Sequence, residues 1–166
     1  MKKLLLGALM LFAMVSNAQK ESNSTQTSKG NFVIEANTGA ATIGNTNFSF
    51  SMIDGNSTWS VGLDGGYFIK DNLAIKAGLG YSDAALNSFN YKVGTEYYIN
   101  GNIPVGIDFT GTSMSDLSTN WLGLQGGYAY FIGDHISIKP TLRYNVGLEE
   151  GQKGLFQGLI GFALYL

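Results

Sequence analysis

Residues 59–82 read WSVGLDGGYFIKDNLAIKAGLGYS, and this stretch decides the fold of the chain. Apolar residues or glycines occupy every second position on both sides of residues 70–72. A period of two is typical of β-strands with one apolar face, and Lys70, Asp71 and Asn72 favour a tight turn. The stretch therefore predicts an antiparallel β-hairpin.

The same alternation continues along the chain and divides it into eight segments, at about residues 32–42, 58–69, 73–82, 89–99, 103–109, 121–132, 136–146 and 155–166. Tight turns alternate with longer connections; the turns are at 70–72, 100–102 and 133–135, and the connections are near 43–57, 83–88, 110–120 and 147–154. Most segments are long enough for tilted strands to cross a bilayer. We therefore predict an all-β fold, a transmembrane antiparallel up-and-down β-barrel of eight strands over residues 31–166. Ten strands remain an alternative if the first long connection forms its own hairpin within the membrane.

Residues 1–18 have the features of a secretory signal peptide. Two lysines precede an apolar run over residues 4–15, and small residues precede a predicted cleavage site before Gln19. The alternative is an uncleaved membrane anchor, for which the apolar run is short. Residues 19–30 are polar and have no apolar period, which predicts a disordered periplasmic tail.

The composition favours a membrane protein. Charged residues make up 13% of the chain and hydrophobic residues 45%, whereas soluble domains have roughly 25% charged residues. Without Lys2 and Lys3, eight basic and twelve acidic residues remain, and this net charge of −4 argues against a nucleic-acid partner. The absence of cysteine excludes disulfides and thiolate metal sites.

The polar face of the predicted strands carries four acidic and four basic residues, which are Glu35, Asp64, Lys76, Lys92, Glu96, Asp108, Lys139 and Arg143. A barrel interior needs this balance because a buried unpaired charge is costly. Glycines on the same face leave room for these side chains, and for Tyr98, to lie across an eight-strand lumen. Aromatic residues near both ends of the apolar face are typical of two lipid–water interfaces. We therefore predict an interior polar network with a structural or gating role. The alternative is a soluble ligand-binding barrel with its apolar face inside.

The pattern over residues 31–166 resembles the small bacterial outer-membrane β-barrel family, which includes the transmembrane domain of outer membrane protein A and the opacity-type porin-family barrels. Gly161, Leu164 and Leu166 match the spacing of that family's C-terminal assembly signal, although Leu159 replaces its usual polar residue and Leu166 its usual phenylalanine. The resemblance implies a monomer in the outer membrane of a Gram-negative bacterium, with both termini periplasmic. The implied partners are outer-membrane lipid, lipopolysaccharide and the barrel-assembly machinery.

No residue pattern indicates catalysis, a metal or a cofactor, and we predict that the chain is not an enzyme. The one histidine, His135, falls in a predicted periplasmic turn, where a turn role accounts for it. Glu149 and Glu150 form an acidic pair in a predicted loop, which fits a solvated surface better than a calcium site.

A second candidate for function lies in the first long connection, where Phe48, Phe50 and Met52 alternate with serines. These residues predict either an exposed contact for a partner or ligand or a simple extension of the hairpin beyond the membrane. We expect an integral outer-membrane β-barrel protein with a structural or surface-interaction role in the cell envelope. The alternative is a narrow gated pore for ions or small solutes.

Overall fold

The computed structural model describes residues 25–39, 45–53, 56–83, 87–114 and 117–166. These residues form a short 3-10 helix, Thr25–Thr27, and ten strands: β1 Phe32–Thr38, β2 Ser49–Ile53, β3 Asn56–Lys70, β4 Leu73–Asp83, β5 Ser88–Ile99, β6 Ile103–Met114, β7 Leu117–Gly127, β8 Tyr130–Ile132, β9 Ile136–Gly147 and β10 Leu155–Tyr165. Within these ranges, no helix is long and apolar enough to cross a membrane. The predicted signal peptide lies outside the described residues.

The strands close into an antiparallel barrel. The sheet order is β1-β10-β9-β7-β6-β5-β4-β3-β2, and β1 closes the ring by pairing with β3, where Glu35 lies opposite Asp64. β7 and β8 follow the same edge of β9 and form one interrupted wall strand. β2 pairs with β3 alone in the outer half. The wall therefore has eight strands rather than ten, which confirms the predicted fold class.

The interruption between β7 and β8 arises from the two neighbouring strands. Pro140 of β9 accepts a hydrogen bond from the Tyr128 N–H at 3.1 Å, but it has no N–H to return. Pro104, on the β6 side, likewise has no N–H for the ladder. These are the only two prolines of the chain. The predicted continuous strand over 121–132 is therefore split by residues that are distant in sequence.

The start of β1 and the end of β10 lie on the rim that carries the short turns. Phe32 and Leu166 exchange two backbone hydrogen bonds, at 2.8 and 2.9 Å. Asn72 adopts a positive φ of 65° in the first of these turns, a conformation that asparagine tolerates.

Residues 25–30 are ordered against the short-turn rim. The Thr27 hydroxyl donates to the Asn72 side chain at 2.5 Å, and the Asn72 N–H donates to the Thr27 carbonyl at 2.7 Å. Gly30 donates to the carbonyl of Phe68 at 2.9 Å. Residues 25–30 differ from the predicted disordered tail because they and the neighbouring strand and turn, at Phe68 and Asn72, satisfy each other's backbone groups. Residues 19–24 lie outside the described residues.

Candidate functional site

The lumen contains the eight charged residues predicted from the alternation, and each is at most 7% exposed. In the half nearest the short turns, Lys139 lies between two glutamates, 2.6 Å from Glu35 and 2.8 Å from Glu96. Lys76 contacts the same two carboxylates at 2.7 and 3.4 Å. The strand register brings these four residues from four different strands into one cluster with zero net charge. We call it the inner charge cluster.

A second ion pair joins β6 and β9. The Arg143 guanidinium donates to both oxygens of Asp108, at 2.5 and 2.6 Å. It also donates to the side chains of Thr110, Asn145 and Gln125, at 3.0, 2.8 and 3.0 Å. A fully buried guanidinium with all of its nitrogens bonded is held rigidly in place.

The third ion pair, Asp64–Lys92, is completed by a segment from the first long connection. The Thr46 hydroxyl donates to Asp64, and the Asn45 side-chain oxygen accepts from Lys92 at 3.1 Å. Asn47 accepts from Ser60 at 3.1 Å. Residues 45–47 are at most 2% exposed, so this part of the connection lies inside the barrel.

Gln125 links the inner charge cluster to the arginine pair. Its amide donates to Glu96 at 3.0 Å while its oxygen accepts from Arg143. A small cavity at this junction is lined by Lys76, Lys92, Gly94, Thr95, Asp108 and Gln125, and it has room for about one water molecule. Side chains of the barrel therefore occupy the lumen around this junction.

An apolar floor closes the lumen beneath the inner charge cluster. It consists of Val33, Phe68, Ala74, Tyr98, Ala129, Ala163 and Tyr165, with Phe131 packed against it. The Phe131 and Tyr165 rings are 5.2 Å apart, and those of Phe68 and Tyr98 are 5.7 Å apart. The Tyr98 hydroxyl donates to Glu96 at 2.8 Å, which ties the floor to the charges.

Sequence reasoning identified the charges but missed most of the floor. Only Tyr98 was expected to lie across the lumen. The available signal was a row of apolar residues on the otherwise polar face, each beside a short turn or a chain end, as at Phe68, Ala74 and Tyr165.

The structure places the predicted assembly signal on two faces. Leu164 and Leu166 point outward and are exposed. Gly161 points inward, where a Cβ atom would lie 3.0 Å from a Glu35 carboxylate oxygen. Leu159, at the position where a polar residue is usual, is buried against Gly39 inside the barrel. A Cβ atom at 161 would therefore displace the ends of the Asn37 and Glu35 side chains, whereas position 159 accommodates an apolar residue.

The remaining candidates lie outside the lumen. Phe48, Phe50 and Met52 are exposed on the outward face of the wall. His135 lies in its short turn, with Nδ1 3.1 Å from the carbonyl oxygen of Tyr165. Glu149 accepts from the backbone and side chain of Asn120 at 2.8 and 3.1 Å. Among the described residues, no three histidine or acidic side chains converge as metal ligands would.

Comparisons with known proteins support the fold through structure alone. No protein-family model and no curated protein sequence matches the chain. The N-terminal β-barrel domain of OprF from Pseudomonas aeruginosa superposes with a TM-score of 0.60, covering 83% of this chain and 98% of that one at 15% identity. This chain has the fold of the small outer-membrane β-barrels. Ail of Yersinia pestis, solved in phospholipid bilayer nanodiscs, shares this barrel fold with a TM-score of 0.50 at 10% identity, covering 83% of this chain and 100% of Ail. A de novo designed transmembrane β-barrel matches at 0.51 and 15% identity, covering 83% of this chain and 97% of the design.

Proposed function

We propose that this chain is an integral outer-membrane protein with a sealed lumen and a structural or surface-interaction role in the cell envelope. The observation that carries the proposal is the inversion of polarity. Thirty large apolar side chains among the described residues are more than a third exposed, while eight charged side chains are buried. A soluble monomer rarely exposes contiguous apolar surface of this extent. On a membrane barrel, such a surface is in contact with lipid. The inversion disfavours the soluble alternative.

The sealed lumen argues for a structural role over transport. Three barriers lie in series between the two rims: the 45–47 segment, the inner charge cluster and the apolar floor. The small cavity beside Gln125 has room for about a single water molecule. Function would then lie on the rim that carries the longer connections, or in the mechanical contribution of the barrel itself.

The proposed orientation places the short turns and both termini in the periplasm. Short periplasmic turns and longer extracellular loops are the general layout of outer-membrane barrels. With this orientation, the outward-facing Leu164 and Leu166 at the end of β10 are available to the barrel-assembly machinery. The monomeric wall would contact outer-membrane lipid and the acyl chains of lipopolysaccharide.

The membrane proposal is tested by an arginine on the outward face. Leu79 lies near the middle of β4 and is 60% exposed. In a bilayer, Leu79→Arg is expected to destabilise the barrel by about 2–4 kcal/mol, measured by urea unfolding in lipid vesicles. The control is Asn102→Arg in a short turn. In a soluble barrel, Leu79→Arg would stay within about 0.5 kcal/mol of the parent, and that result would refute the proposal.

The second candidate function is a narrow gated pore, and one observation favours it. Lys76 contacts two carboxylates at unequal distances, 2.7 Å from Glu35 and 3.4 Å from Glu96, so exchange of partners needs little movement. This candidate predicts that Lys76→Gln or Lys139→Gln raises single-channel conductance.

We propose no catalytic role. The imidazole of His135 lies beside the Tyr165 carbonyl on the short-turn rim. A general base needs a nucleophile or a substrate proton within hydrogen-bond reach, and the partner of the His135 imidazole is a backbone carbonyl oxygen. An esterase or peptidase assay in which wild type is active and His135→Ala is not would overturn this statement.

A further inference from the structure

β2 occupies an unusual place in the wall. β1 pairs with β3 only over Phe32–Glu35, and farther out the same edge of β3 pairs with β2, where Phe50 lies opposite Trp59. β1 and β2 both run antiparallel to β3, so they are parallel to each other. A parallel bridge joins Thr38 to Phe48, and the Phe48 N–H donates to Asn37 at 2.6 Å. β2 therefore enters the wall between β1 and β3.

An inserted strand widens the outer half of the barrel, because the diameter grows with the number of strands. One more strand adds roughly 4.8 Å to the circumference. Residues 45–47 lie inside at this level. A Cβ atom on Gly62 would lie 2.7 Å from the backbone nitrogen of Asn47, and one on Gly80 would lie 3.6 Å from the Cα atom of Thr46. Residues 45–47 therefore pack against the backbone of these two glycines.

The outward face of β2 continues the apolar surface of the barrel. Phe50 lies opposite Trp59, whose ring centroid is 5.6 Å from that of Tyr81 on β4. Phe48, Phe50 and Met52 are 54%, 65% and 64% exposed.

The height of this surface matches the apolar band of a membrane barrel. Tyr67 and Trp59 on β3 are eight residues apart, which at about 3.3 Å per residue and a tilt near 40° is a height of roughly 20 Å. The apolar band of such barrels is about 25 Å tall and ends in aromatic girdles. Phe50, beside Trp59, is at the level of the outer girdle, and Phe48 is one pair deeper.

We propose that β2 is a ninth strand of the outer half of the wall, and that Phe48 and Phe50 contact membrane lipid of the outer leaflet. The inference rests on the proposed membrane location. It assigns lipid, rather than a protein partner or soluble ligand, to the aromatic residues of the first long connection. Continuity with Trp59 and Tyr81 supports this assignment, because aromatic girdles of membrane barrels lie where the wall meets the lipid–water interface.

The absence of cysteine from the chain makes the test direct. Single nitroxide labels are placed on Phe50→Cys, Leu79→Cys and Lys153→Cys, and each variant is refolded into phosphatidylcholine vesicles. Collision rates with oxygen, which concentrates in lipid, and with a water-soluble nickel chelate are measured by electron paramagnetic resonance. Leu79 is the lipid reference, and exposed Lys153 in the β9–β10 connection is the water reference. Unboiled gel mobility verifies folding, and Phe48→Cys replaces Phe50→Cys if the latter does not fold.

The proposal expects an oxygen-to-chelate ratio for the Phe50→Cys label that is severalfold above that of Lys153→Cys and below that of Leu79→Cys, because Phe50 is at the level of the girdle and Leu79 is near the middle of β4. A lipid-like Leu79 label with a chelate-accessible Phe50 label overturns it and leaves the membrane proposal standing. A Phe50 label shielded from both probes overturns it in favour of a protein contact. Chelate access at both Leu79 and Phe50 refutes the membrane proposal itself, and this inference with it.

Discussion

Lys139 shows how many polar contacts a single side chain makes inside this lumen. Its ammonium group lies 2.6 Å from Glu35 and 2.8 Å from Glu96, and it also donates to Tyr98 at 3.1 Å. Lys139→Met leaves two buried carboxylates with one remaining lysine, and breaking a buried ion pair typically costs about 3–5 kcal/mol. We expect a loss of this size in urea unfolding followed by tryptophan fluorescence. Lys153→Met, in an exposed connection, is the control, and equal midpoints for the two variants would contradict the assignment.

Pro140 permits a prediction of the opposite sign. The Tyr128 N–H already donates to the carbonyl of Pro140. A residue with an N–H at position 140 would donate back to the carbonyl of Tyr128 and complete the pair. Pro140→Val is therefore expected to raise the free energy of unfolding by about 1 kcal/mol and to slow hydrogen exchange across the β8–β9 pairing. Leu142→Val, on the same strand and face, is the control for the valine. A drop in stability for Pro140→Val alone would mean that the proline supports the wall.

At this scale the sequence predicted which residues are charged and inward, because strict alternation fixes the face of each side chain. It did not predict which charges meet. Glu35 and Lys139 are 104 positions apart, and their contact depends on barrel closure between β1 and β10. The break at residues 128–129 was equally hidden, since its cause lies on neighbouring strands.

At the scale of elements, the alternation predicted all eight wall strands. For the connection that contains β2 it left three alternatives: an extension of the hairpin beyond the membrane, an exposed contact for a partner or ligand, or a hairpin of its own within the membrane. The pattern of Phe48, Phe50 and Met52 was correct for a strand with an outward apolar face. The position of β2 beside β1 was not predictable from the sequence. The parallel bridge between Thr38 and Phe48 depends on the path of residues 45–47 through the lumen.

The contact between residues 45–47 and β3 is tested by two valine variants of that strand. Gly62→Val places side-chain atoms where the backbone of Thr46 and Asn47 lies, whereas Gly65 faces outward with no atom within 4 Å of a Cβ. Overpacking of this kind costs about 1–3 kcal/mol. We expect Gly62→Val to lower stability by that amount and to accelerate amide exchange over residues 45–48. Gly65→Val has the same effect on strand propensity and is expected to leave the exchange unchanged. Equal protection in both variants would place the segment elsewhere.

At the scale of the molecule, three barriers in series predict that no single lesion opens the lumen. The strand register places the 45–47 segment, the inner charge cluster and the apolar floor at three successive levels of the barrel. The refolded chain is therefore expected to be silent in a planar bilayer, while unboiled gel mobility shows a folded barrel in the same sample. Lys76→Gln is expected to be silent as well, because Phe68, Tyr98 and Tyr165 still close the floor beneath it. Discrete conductance steps from the wild type, larger in Lys76→Gln, would instead establish the pore. That outcome would mean that the floor moves with the charges, a coupling for which the hydrogen bond from Tyr98 to Glu96 provides the direct link.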